Sequence, residues 1–223
     1  MKLRTLALFS LATTALLAQS TESDKPLVLG LKVGVPITDM FSANNTSEFS
    51  DSLPGSGYNV AVPRYILGVS GEFKMPRHLR LEVDGLYKRA GFANSSIYDA
   101  FGNSAYYQTS LNVWEVPALF KTNITLGHVR PFIDFGASLR HISTIKNDAY
   151  LPGDVFGIIE DNSSALHNRN SFGGVAGIGI TFKKGPFELS PEVRYTRWAN
   201  ESFQTSGLRT NLDQGDFLLG ISF

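Results

Sequence analysis

The chain has 223 residues, 20 basic and 20 acidic side chains, and no cysteine. That length fits one ordinary domain or two small ones, and the balanced charge gives no reason to expect a nucleic-acid partner. The lack of cysteine excludes a disulfide framework, a thiolate zinc site and a cysteine nucleophile.

The first twenty residues, MKLRTLALFSLATTALLAQS, place Lys2 and Arg4 ahead of an apolar run from Leu6 to Ala18. A charged start, a short apolar core and small residues near the exit predict a secretory signal peptide over 1–20, leaving residues 21–223 as one domain. The run is short for a helix crossing the ~30 Å hydrocarbon core. No later stretch reaches 18 consecutive apolar residues.

Eight segments then alternate apolar and polar residues with period two, predicting strands at 27–36, 64–74, 79–88, 111–121, 129–140, 172–182, 187–198 and 215–223. Most are about ten residues long, which suits a tilted strand crossing a bilayer. The connections alternate in length. Long ones follow the first, third, fifth and seventh segments; short ones, such as MPRH at 75–78 and KKGP at 183–186, follow the others. Short turns at one end and long loops at the other are the rhythm of a barrel in a membrane.

One face of these segments is apolar, from Leu27, Leu29 and Leu31 through Trp114 and Phe135 to Ile178 and Val193. Its total volume is large for an eight-stranded interior, and its aromatics gather towards strand ends, as interfacial girdles require. The opposite face mixes glycine and serine with nearly balanced charges. Buried charges must be paired, so this face is expected to line a packed polar lumen. Lys32, Asp84, Glu115, Asp134, Glu192 and Arg194 each fall near the middle of a strand and are the expected mid-lumen network.

The final stretch GDFLLGISF puts Phe217, Leu219, Ile221 and Phe223 at every second position. With the signal-like start, this ending resembles the C-terminal signature of bacterial outer-membrane barrels, which their assembly machinery reads. The whole stretch after the leader resembles the eight-stranded outer-membrane β-barrel families, including the OmpA/OmpX-like barrels. VWEVPALFK at 113–121, RPFIDFGASL at 130–139 and PEVRYTRW at 191–198 are its closest local echoes. The resemblance implies an all-β fold, an eight-stranded antiparallel up-and-down transmembrane β-barrel in the bacterial outer membrane. It implies a monomer whose partners are outer-membrane lipid, the barrel assembly machinery and an unidentified extracellular ligand.

Lipid A deacylase barrels, which share this scaffold, carry a His-x-Ser pair near the outer end of the penultimate strand. Here Arg197 and Ala199 stand in those places, so that activity is not carried over. His141 and Ser143 give the same spacing one loop earlier, and a histidine can activate a nearby serine. His78, His128 and His167 are too scattered for a metal site. The expected protein is therefore a non-enzymatic barrel with a structural, adhesive or interaction role, and no cofactor or metal. The alternatives are a membrane-embedded lipid-modifying enzyme and a soluble exported barrel that binds an apolar ligand.

Overall fold

The computed structural model describes residues 26–43, 56–59, 64–76, 79–97, 104–123, 129–151, 154–158, 166–204 and 208–223. The expected leader at 1–20, and His78 and His128, lie outside the described residues. Among the described residues twelve strands form. Eight are the staves of a barrel: β1 (Leu27–Pro36), β4 (Tyr65–Lys74), β5 (Leu79–Ile97), β6 (Ser104–Asn123), β7 (Val129–Leu151), β9 (Asn170–Lys184), β10 (Phe187–Trp198) and β12 (Asp213–Ser222). The others are short: β2 (Phe41–Ala43), β3 (Ser56–Asn59), β8 (Asp154–Ile158) and β11 (Leu208–Thr210).

Each stave pairs antiparallel with its neighbours in the chain, and β1 pairs with both β4 and β12. The sheet therefore closes on itself and leaves no open edge among the staves. At the seam, Leu31, Val33 and Val35 of β1 stand opposite Ile221, Leu219 and Phe217 of β12. The Phe223 amide donates to the Leu29 carbonyl at 3.1 Å, so pairing runs to the last residue. One short turn shows its local cause clearly. Gly185 has φ +64° and precedes Pro186, between the register partners Lys184 and Phe187. A glycine at positive φ in the first central position is what a two-residue type II′ hairpin needs, and the negative φ of proline fits the second.

Period-two alternation makes these strands, and it divides their two faces. Outward lie Leu29, Val69, Phe135, Leu139, Ile178 and Phe187, all exposed. Two aromatic bands bound this apolar belt. Phe73, Phe120, Phe182 and Phe187 lie towards the short-turn end. Tyr65, Tyr87 and Trp114 meet towards the long-loop end, the first pair tilted with ring centroids 6.2 Å apart and the second edge to face at 5.3 Å. Tyr87 Oη donates to Asn112 Oδ1 at 2.7 Å, and Tyr195 Oη donates to Asp213. An apolar ring with a polar tip aimed away from the belt suits a membrane–water boundary.

The staves β1, β4, β9, β10 and β12 lie within a few residues of their predicted bounds. The other three are far longer than the sequence pattern indicated. β5, β6 and β7 run for 19, 20 and 23 residues, through stretches expected to be loops. Beyond the upper aromatic band the chemistry of the two faces exchanges. Outward residues turn polar (Arg89, Asn112, His141), and inward residues turn apolar (Ala90 and Phe92; Leu111 and Val113; Ile142). A bulge at Ser143 adds a second disturbance. Val113 pairs with Ile142 and Asn112 with Thr144, so both Ile142 and Ile145 point inward. A pattern followed in one phase and one polarity stops there, although the strand continues. β3 and β8 pair with the projecting ends of β5 and β7.

Candidate functional site

The inward face is a lumen filled in layers. At the short-turn end Arg130 contacts Glu188 at 3.1 Å, and Arg80 contacts Glu72 at 2.7 Å. Lys121 then bridges Glu72 and Glu82 at 2.7 and 2.9 Å. At mid-lumen Lys32 binds Glu82 and lies 3.1 Å from both Asp84 and Glu192. Arg194 reaches the same three carboxylates, at 2.6 Å to Glu192, 2.9 Å to Asp84 and 3.2 Å to Glu82. These mid-lumen groups are almost wholly buried. Fixed, mutually bonded partners are the condition for holding that many charges out of water.

Above this ladder stands a second group, Lys88 with Glu115 at 2.6 Å and with Asp216 at 2.5 Å. Beside it Ile66, Leu86 and Leu218 form a small apolar cluster. Next comes Arg140, stacked over Trp198 with its guanidinium carbon 4.1 Å from the ring centroid, while Trp198 Nε1 donates to Gln214 at 3.1 Å. The long-loop end is closed by apolar side chains. Phe41, Phe92 and Phe203 meet edge to face at 5.1–6.3 Å, packed with Leu111, Val113, Ile142, Ile145 and Leu208. β2 and β11 pair with each other to bring Phe41 and Leu208 into this cap.

Four of the six residues expected at mid-lumen, Lys32, Asp84, Glu192 and Arg194, bond to one another. Glu115 belongs instead to the Lys88–Asp216 group. Asp134 faces the lumen, but neither of its carboxylate oxygens has a hydrogen-bond partner among the described residues. Glu82, Lys121 and Glu72, which join the ladder, were outside the expected set. Barrel strands tilt by ~35–45°, so residues at equal depth do not sit at equal distances from their strand middles. The inward parity of Glu82 was legible in the sequence; its depth was not. The apolar cap was missed for another reason: Phe41 and Leu208 come from three-residue strands, FSA and LRT, too short to show a period, and its other members are Phe203 and residues of the outer halves of β5, β6 and β7, where the apolar face has turned inward.

Phe217, Leu219, Ile221 and Phe223 lie along the outward side of the closing strand and its end. His141 and Ser143 engage different partners. His141 Nδ1 pairs with Asn170 Oδ1 at 2.7 Å on the outer surface, and Ser143 Oγ donates to the Asn112 carbonyl at 3.1 Å. No hydrogen bond joins His141 to Ser143 among the described residues. Among the described residues no three His, Cys, Asp or Glu side chains gather as metal ligands.

A family profile described as "outer membrane protein beta-barrel domain" matches residues 17–199. No curated protein matches the chain. Among solved structures, the chain is similar to Neisserial surface protein A, at 15% identity and TM-score 0.47, over 88% of this chain and 94% of that one. It is also similar to the attachment invasion locus protein Ail of Yersinia pestis, solved with the heparin analogue sucrose octasulfate, at 11% identity, TM-score 0.44, 88% and 96%. The N-terminal β-barrel domain of Pseudomonas aeruginosa OprF gives 11% identity and TM-score 0.41 over 90% and 100%.

Proposed function

The chain belongs to the outer membrane protein beta-barrel domain family, and from that premise we propose that it is a non-enzymatic barrel with a sealed lumen and an adhesive or other interaction role at its long-loop end. The staves cross the bacterial outer membrane. The lumen ladder and apolar cap hold the barrel rigid, and the projecting ends of β5, β6 and β7 present a surface to an extracellular partner. Residues 1–20 direct export and are removed. Phe217, Leu219, Ile221 and Phe223 are read by the barrel assembly machinery, and the product is a monomer.

One observation carries this reading: among the described residues, bonded charges line the lower lumen, Asp134 excepted, and apolar side chains gather at its long-loop end. A lumen packed in this way suits an anchor better than a pore. Planar-bilayer recording tests it. The native protein should show no steady conductance; a stable open channel would contradict the sealed lumen. Vesicles of outer-membrane lipid test the enzymatic alternative. No ester turnover is expected, whereas turnover abolished by His141→Ala would overturn the non-enzymatic assignment.

A further inference from the structure

At mid-lumen three buried cations, Lys32, Lys121 and Arg194, serve four buried carboxylates, Glu82, Asp84, Glu192 and Asp134. Glu72, which also takes Lys121, is matched from its other side by Arg80 at 2.7 Å. One carboxylate is therefore in excess, and the geometry identifies it. Glu82, Asp84 and Glu192 are each bonded to two or three of the cations. Asp134 is 2% exposed, and neither oxygen has a hydrogen-bond partner among the described residues.

Asp134 has two cations as nearby register neighbours, Lys121 on β6 and, across Gly177 of β9, Arg194 on β10. Both donate to other carboxylates, Lys121 to Glu72 and Glu82 and Arg194 to Glu192, Asp84 and Glu82, and Lys121 Nζ lies 4.1 Å from the Phe132 ring centroid. Arg140, on the same strand, is six residues away, about 20 Å at the ordinary rise of a strand. Asp134 lies within electrostatic reach of two anions, Glu192 and Glu82, and of two cations, Arg194 and Lys32, neither of which bonds to it. The wall beside it is cut back to receive it: a Cβ on Gly177 would fall 2.5 Å from Asp134 Oδ1. A buried carboxylate that keeps its charge needs a counter-charge.

We propose that Asp134 is the anchor of a monovalent cation site in the lumen, for sodium or potassium. The excess is one charge and the ligand offered is one hard carboxylate, which fits a single small monovalent ion better than a divalent one. Divalent oxygen sites ordinarily gather several charged or carbonyl ligands, and no cluster of three acidic or histidine ligands exists among the described residues.

The test is thermal unfolding of the folded protein in detergent, in sodium chloride, potassium chloride or N-methyl-D-glucamine chloride at constant ionic strength. The native protein should unfold a few degrees higher in sodium or potassium, with a saturable dependence on concentration. Asp134→Asn should unfold at one temperature in all three salts. Gly177→Ala, which crowds the carboxylate while keeping its charge, should need several-fold more sodium for half of the native effect. That variant decides the matter if Asp134→Asn does not fold. The proposal is overturned if the native protein is indifferent to the cation, or if both variants respond to sodium as the native protein does.

Discussion

Glu82 is the residue on which the lumen ladder turns, since it accepts from Lys32, Lys121 and Arg194 together. Replacing it by alanine takes a shared carboxylate from three buried cations, which keep Asp84 and Glu192 (Lys32 and Arg194) or Glu72 (Lys121); full loss of one partner of a buried pair costs ~3–5 kcal/mol. Urea unfolding of Glu82→Ala in detergent should show a loss no larger than that. Glu115→Ala should show a similar loss through Lys88, which would keep only Asp216. His141→Ala removes one surface contact to Asn170 and should stay within about 0.5 kcal/mol of the native protein. At this scale the sequence disclosed which side chains face inward, because parity along a strand decides that. It did not disclose which of them meet. Lys32 and Glu82 lie on different strands, and only the tilt and stagger of the barrel bring them to one depth.

At the scale of the element, β12 and β5–β7 teach opposite lessons. β12 could be read almost to its bounds, since one apolar face alternates without interruption to Phe223. Replacing Phe223 by Asp puts a carboxylate near the interface, where a charge on the lipid face costs ~0–1 kcal/mol. Unfolding in detergent should hardly change, while outer-membrane yield in cells should fall severely if this ending is the assembly signal. Near-native yield would show that the signal lies elsewhere. Val33→Lys, at the middle of the outward face of β1, should instead cost ~2–4 kcal/mol in a bilayer. The staves β5, β6 and β7 were half hidden. Their outer halves keep the strand period, but their apolar side faces inward, and the Ser143 bulge shifts the phase once more. Deleting Ser143 removes the unpaired residue and leaves Ile142, Thr144 and Ile145 opposite Val113, Asn112 and Leu111 in unbroken alternation, so Ile145 should stay in the cap. Hydrogen exchange along β6 and β7 should therefore stay near native, whereas exchange rising at the outer strand ends would show that the bulge itself is needed there.

For the whole molecule, the lumen changes from ionic at the short-turn end to aromatic at the long-loop end, inside a belt that is apolar over the membrane span. Phe203 joins the cap from outside the staves, and its replacement by alanine should cost ~3–5 kcal/mol without disturbing the barrel's heat-modifiable migration on gels. The all-β class, the eight staves and the outward belt were legible because each rests on local periodicity. The cap was not, because it joins segments from opposite ends of the chain, Phe41 near one and Phe203 and Leu208 near the other. The central claim is that this belt faces lipid and that the opposite face is sealed. The native chain has no cysteine, so single cysteines carrying spin labels report one position at a time. Labels at Phe172, Ala176, Ile178 and Ile180 of β9 should collide with oxygen dissolved in the bilayer and be shielded from a water-soluble nickel complex. Labels at Ser171, Val175 and Thr181 should be shielded from both. A reversed pattern, or inward positions open to nickel along the strand, would contradict the account.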